Sequence, residues 1–161
     1  GYAMTGWRVG FIGAPLWIAK ACNKIQGQIT SATCAIAQKA VETAMLANPK
    51  EVTADMKATF LKRRDMILNE LNNIEGIKCN IPQGAFYVFP DVSYYFGKSD
   101  GTTNINNAND FCMYLLNSCY VAFVAGDAFG NPECVRISYA AADDKLMEAM
   151  ERIKNQLAKL S

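Results

Sequence analysis

Histidine is absent from this sequence of 161 residues, and that absence removes more chemistry than any other feature of the composition. No Ser-His-Asp or Cys-His arrangement can be assembled from these residues, nor any His-ligated metal centre. No pair of the six cysteines (Cys22, Cys34, Cys79, Cys112, Cys119, Cys134) makes C-x-x-C. Most stand among apolar neighbours, as small buried hydrophobes do, a pattern that fits a reducing cytoplasm. Long apolar runs are missing too. Lys20, Lys39 and similar residues interrupt them well short of the ~18 to 20 residues of a membrane helix, and no basic leader precedes an apolar stretch. Blocks of like charge are equally absent. The 16 basic and 15 acidic residues are scattered, the net charge is +1, and nothing in them forms a footprint for nucleic acid. There is no internal repeat and no low-complexity tract. A soluble, cytoplasmic protein is expected, without membrane or nucleic-acid partners, whose chemistry comes from Lys, Arg, Tyr, Asp or a cofactor.

What is present suits a globular protein with a real core, since 51% of the residues are hydrophobic. Val9 to Ala14 reads as a short buried strand, and Pro15 opens a helix through Trp17, Ile18, Ala21, Cys22 and Ile25. Gly27 is expected to break that helix, Gln28 to Ser31 to form a polar turn, and Ser31 or Thr33 to cap a second helix. The buried side of that second helix would carry Ile36, Ala40, Val41, Ala44 and Met45. Asn48-Pro49 then caps one long helix with Val52, Met56, Phe60, Ile67, Leu71 and Ile74 on one side. Lys57, Arg63, Arg64, Asp65 and Glu70 on its other side read as a solvated charged face.

Gly76 ends this helix. Two β-prone runs follow, Ile77 to Ile81 and Ala85 to Phe89, able to form a hairpin, and then a polar loop from Ser93 to Asn109. A short helix from Asp110 to about Asn117, a strand at Val121 to Val124 and a half-buried strand at Val135 to Tyr139 come next. Asp143 or Asp144 caps a last helix striped by Leu146, Met150, Ile153, Leu157 and Leu160. The expected organisation is residues 1–48 as a piece of a larger domain, 49–76 as the long helix, and 77–161 as a small α+β domain. One strand with two apolar helices cannot by itself build a sheet-based core, because a lone strand has no ladder partner.

Four features can carry chemistry. Arg8, between Trp7 and Val9 in a segment with four glycines and almost no other charge, calls for a fixed anionic partner, or else snorkels from a strand end to water. Arg136 lies within the apolar run CVRISYA, sharing a strand face with Cys134 and Ser138. It is either a solvated strand residue or a binding group. Glycine turns at Gly84 and from Ala125 to Gly130 match no phosphate-loop motif and read as ordinary turns. The hydroxyls of the turn from Gln28 to Ser31 suit an anion, and plain helix capping explains them equally well.

These residues resemble a known family. Ala3-Met4-Thr5-Gly6-Trp7-Arg8 is similar to the end of the signature of class I pyridoxal-phosphate aminotransferases. There the Schiff-base lysine is followed by two variable residues and then by a small-apolar-x-G-x-R pattern. GQITSATCAIAQ, GAFYVFPD, VAFVAGDAFG and VRISYAA resemble segments of the aspartate aminotransferase branch, in the same order and covering nearly all of the chain. The resemblance implies an α/β fold, the C-terminal portion of fold type I, comprising the end of the large-domain sheet, the long interdomain helix and the small α+β domain. It implies pyridoxal 5'-phosphate as cofactor, amino-acid and 2-oxo-acid substrates, aspartate and glutamate foremost, and a homodimer when full length.

By the same resemblance Arg8 grips the cofactor phosphate, and Arg136 binds the substrate α-carboxylate in fork geometry. Phe86 walls the pocket or is a core aromatic. Thr30 and Ser31 reach toward the phosphate of the neighbouring subunit. None of the eleven lysines stands in the signature's context, and the matching lysine would fall one position before Gly1, so the isolated chain is expected to be inactive. Two positions depart from the pattern: Ala125 stands where many relatives have proline, and Ala142 where a hydroxyl residue often caps the last helix. The alternative is an aminotransferase-like ligand-sensing domain of a transcription regulator, which shares the scaffold.

Overall fold

Every leucine, isoleucine and methionine of the predicted stripe on the last helix points into a core. In the computed structural model, which describes all 161 residues, α6 spans Asp143–Leu157. Leu146, Met150, Ile153, Leu157 and Leu160 are all buried, as a 3.6-residue period that faces one way requires. The chain divides into two compact units, Gly1–Lys57 and Ala58–Ser161. The division falls inside a helix, α4, Ala54–Asn72.

The second unit contains the sheet. Its strands are β1 (Tyr87–Val88), β2 (Val124–Ala125) and β3 (Val135–Ser138), in the order β1-β3-β2 and antiparallel throughout. Register pairs Val88 with Ile137 and Val124 with Arg136. On β3, Val135, Ile137 and then Tyr139 face the core while Arg136 and Ser138 face away, the alternation expected of a half-buried strand. Helix α5 (Ala108–Cys119) starts two residues earlier than its sequence suggests, because Asn107 accepts the Asp110 amide at 2.9 Å and caps it. Phe111 and Leu115 from α5 join Ile67 and Leu71 from α4 and Val88 and Val135 from the sheet in one hydrophobic cluster.

Several expectations fail here. Ile77 to Ile81 makes only a single bridge, Lys78 to Asp91, and β1 pairs with β3 instead, so no hairpin forms. Between Ser93 and Asn109 the chain is not a solvated loop, since Tyr95 and Ile105 are buried. Tyr95 donates its hydroxyl to the Glu75 carbonyl at 2.6 Å, and burial pushes its pKa up to about 12. Ala142, not an aspartate, occupies the N-cap of α6. Asp143 sits in the first turn and accepts Lys62 Nζ and Arg63 Nε, each at 2.7 Å. Arg64 donates to the Pro82 carbonyl at 3.2 Å. The charged face of α4 is therefore partly engaged rather than simply solvated.

The first unit is helical. α1 spans Leu16–Ile29, α2 Ala35–Leu46 and α3 Pro49–Val52. Val9 to Ala14 forms no strand, because nothing supplies the neighbouring ladder that an extended segment needs. Gly27 does not end α1. One glycine costs about 1 kcal/mol in a helix, too little to stop one flanked by Gln26 and Gln28. The helix runs on to Ile29, and the turn comes at Ser31, which takes a φ of 65°.

Cys34, not Ser31 or Thr33, holds the N-cap position of α2. Only Ala37 of α2 is buried, and Ile36 and Met45 are exposed, contrary to the buried stripe expected of them. The long helix is interrupted as well. Thr53 follows α3 and donates its hydroxyl back to the Pro49 carbonyl at 2.5 Å before α4 begins. No helix of the chain is long and apolar enough to cross a membrane.

Candidate functional site

Two arginines make no ion pair, one in each unit, and each is a candidate functional residue within its own unit. Arg8 ends the 3-10 turn Thr5–Trp7 with a φ of 54°. A non-glycine residue in that region stores about 1 to 3 kcal/mol of strain. The Arg8 amide and Nη1 both donate to the Thr5 carbonyl, at 3.2 and 3.0 Å, which anchors one corner of the guanidinium and leaves its other N–H groups free. The side chain is exposed, so no core surrounds the charge.

Thr30 closes α1, and its hydroxyl accepts from Gln26 Nε2. Ser31 follows in the left-handed region, and both residues are exposed. No hydrogen bond links either of them to Arg8. Trp7 and Gly6 join Ala3, Cys34, Ile36 and Ala37 around an open hollow of about 440 Å³. At its edge the amides of Ala37 and Ile36 hold the Cys34 thiol below its ordinary pKa.

Arg136 is built differently. β3 lifts it from the sheet face opposite the core, half-buried, with its guanidinium carbon 4.5 Å from the Tyr87 ring centre and 4.2 Å from that of Phe129. Tyr87 lies opposite Ser138 on β1, and so diagonally beside Arg136 on the same face. Phe129 comes from the turn Gly126–Phe129, which follows β2. Cys134, two residues before Arg136, is outside the core cluster that takes Val135, Ile137 and Tyr139. It is buried, its carbonyl accepts the Gly126 amide at 2.8 Å, and burial raises its thiol pKa.

Phe86 is tied to the core. It stacks on Phe60 at 5.7 Å, its carbonyl accepts the Tyr139 amide at 3.0 Å, and its ring tilts against Tyr87 at 4.5 Å. Tyr87, the next residue, is the one that meets Arg136. Tyr87 and Phe129 were thus missing from the residues singled out in the sequence. Their signals were the aromatic run Phe86-Tyr87 two strands from the arginine and the aromatic that interrupts a glycine turn.

Chemically, Arg136 offers a fixed cation with open N–H edges and no competing carboxylate, which suits a planar anion. No group of His, Cys, Asp and Glu side chains is arranged to hold a metal ion. Of the lysines on predicted helices, Lys20 and Lys24 lie on α1 and Lys39 on α2, where Lys39 pairs with Glu42 at 2.8 Å.

Comparison with known proteins adds to this geometry. The sequence model of aminotransferase class I and II matches residues 1–153. A bifunctional aspartate aminotransferase and glutamate/aspartate-prephenate aminotransferase of Petunia hybrida is 47% identical over 159 residues, 97% of this chain and 33% of its own length. An aspartate aminotransferase of Rhizobium meliloti (strain 1021) is 42% identical over 161 residues, 99% of this chain and 39% of its own. The crystal structure of the aspartate aminotransferase from Rhizobium meliloti aligns with a TM-score of 0.89 and 41% identity, over 99% of this chain and 40% of that one. An aromatic aminotransferase from Pyrococcus horikoshii aligns with a TM-score of 0.82 and 35% identity, over 98% and 40%. The chain spans about a third of the length of the curated relatives it matches.

Proposed function

The chain belongs to the class I and II aminotransferase family, and on that premise we propose that it is the part of an aspartate-type aminotransferase that grips the cofactor phosphate and the substrate α-carboxylate. Its α/β architecture is a portion of fold type I. The reaction proposed for the full-length protein is transfer of an amino group between an amino acid, aspartate or glutamate foremost, and a 2-oxo acid. One observation carries the reading: Arg136, half-buried on β3, is held by two aromatic rings and paired with no carboxylate of its own chain.

Pyridoxal phosphate is the cofactor of this family, and the residues present fit its phosphate. Arg8 keeps most of its guanidinium donors free and makes no ion pair. When bound, the cofactor supplies an electron sink for the charge left at the substrate Cα. Arg8 would hold the phosphate by charge-assisted hydrogen bonds. Arg136 would take the α-carboxylate in a bidentate fork and so orient the Cα–H bond. Phe86 backs the ring of Tyr87 and walls the pocket from behind.

Transfer also needs a lysine to move the proton at Cα, and none of the eleven here has the family's context, so the 161 residues alone would not turn over. The full-length protein would act as a homodimer, with Thr30 and Ser31 directed toward the neighbour's phosphate.

Kinetics on the full-length protein with aspartate and 2-oxoglutarate test the proposal. Oxaloacetate should form, and Arg136→Lys should lower kcat/KM about a hundredfold, because a lysine cannot reproduce the fork. Transfer that survives Arg136→Lys unchanged would overturn it.

A further inference from the structure

The rings of Tyr87 and Phe129 lie against the Arg136 guanidinium, and their geometry gives them a task beyond packing. A free arginine has about 2 kcal/mol of rotamer entropy, and fixing it normally takes a carboxylate. A carboxylate partner from the chain's own residues would occupy the very N–H groups a ligand needs. Arg136 has none, yet it is held, because ring faces attract a guanidinium without using its hydrogen-bond donors.

The mount for one of these rings is elaborate. Gly126 lies so close to the turn's backbone that a Cβ there would stand 2.1 Å from the Asn131 carbonyl oxygen and 2.4 Å from that of Cys134. Gly130 closes the turn at a φ of 84°, and its amide donates to the Asp127 carbonyl at 3.2 Å. Phe89 packs edge-on against Phe129, 6.2 Å between centres and 88° between planes. Phe129 nevertheless remains 45% exposed, so its burial alone does not account for so tight a turn.

Resting on the assignment of Arg136 as the α-carboxylate group, we infer that Phe129, with Tyr87, is a positioning residue that sets the plane of the Arg136 guanidinium. Both rings of this clamp approach the guanidinium carbon without taking its N–H groups, so the fork stays open to a ligand. The preferred ligand is then a planar carboxylate lying in the guanidinium plane. The glycine turn from Gly126 to Gly130 serves substrate binding through the ring it carries, not through its own amides.

The test measures binding of succinate, an unreactive dicarboxylate, to the cofactor-loaded full-length protein. Phe129→Leu should raise the dissociation constant about tenfold. It should raise the KM for aspartate likewise and, because a tilted fork misaims the Cα–H bond, lower kcat as well, while cofactor affinity stays within about twofold. Phe129→Tyr, which keeps the ring face and puts its hydroxyl toward solvent, should restore affinity, and Tyr87→Leu should act in the same direction as Phe129→Leu. Unchanged succinate affinity in Phe129→Leu, or a Phe129→Tyr variant as weak as Phe129→Leu, would overturn the inference. Arg136→Lys separates the two levels. If it weakens succinate while Phe129→Leu does not, only the clamp is wrong. If it too leaves succinate binding unchanged, the carboxylate assignment falls and the clamp with it.

Discussion

Residues 1–57 and residues 58–161 use apolar side chains in opposite ways. In the first unit Ala37 is the single buried hydrophobic residue, while eleven large ones, from Trp7 to Val52, are exposed. The second unit buries Phe111, Ile105, Leu115 and Val135 completely and closes a core around them. Within these 161 residues, which span about a third of the relatives' length, the first unit's apolar sides stay uncovered, whereas the second unit closes its core with its own residues. α1 and α2 form from local sequence, a capping position and good helix formers, without covering their apolar sides. α4, α5, α6 and the sheet exist as one packed body. Each unit also holds one of the two arginines, and the contrast extends to them: Arg8 is fixed by its own turn, and Arg136 by rings brought from two other segments.

The comparison breaks first, if it breaks, in the cores. Phe111→Ala should cost about 3 to 5 kcal/mol in urea unfolding of the second unit, whereas Ile36→Ala, at a side chain 76% exposed, should cost under about 0.5 kcal/mol. Equal losses would mean that the first unit has a core of its own.

Glycines sharpen the contrast at a smaller scale. Gly126→Ala must displace backbone and should cost about 1 to 3 kcal/mol, while Gly27→Ala meets nothing within 4 Å and should raise helix content, worth up to about 1 kcal/mol. Thermal melts and circular dichroism of the two variants read both signs.

The smallest effect concerns the tie between α4 and α6. Lys62 and Arg63 donate to Asp143 and hold its carboxyl below the usual carboxylate range. A depressed folded-state pKa gives stability that is present above the unfolded value near 4 and lost as pH falls through the folded one. Asp143→Asn should therefore melt slightly below the parent at pH 7, and the gap should close as the pH is lowered beneath about 4. A gap that persisted undiminished at low pH would assign the effect to packing instead.

What the sequence made legible follows the same divide. The α6 stripe and the alternation on β3 are periodic signals generated by a core on one side, so both were readable, and Arg136 with them. Tyr95 and Ile105 were not, because two apolar residues in a polar stretch have no period, and their burial is decided by segments far along the chain. Val9 to Ala14 looked like a strand because composition reports what a segment tolerates, and pairing is supplied from elsewhere. On α2 the expected stripe of Ile36 and Met45 failed for the converse reason, since periodicity marks a face and does not provide its cover. Within the site, both arginines stood out as charges in apolar or glycine-rich settings, and their roles came from family resemblance. Phe129 stayed hidden inside a glycine turn because its partner, Arg136, is brought to it only by the register of β2 on β3.

The most direct test of the whole account is a cross-measurement on the full-length protein, reading cofactor and succinate affinities for Arg8→Gln and Arg136→Gln. Arg8→Gln should weaken pyridoxal phosphate about a hundredfold, and Arg136→Gln should weaken succinate by a similar factor while leaving cofactor affinity within about twofold. Succinate binding that is indifferent to Arg136, or cofactor binding that is indifferent to Arg8, would contradict the division of labour proposed here.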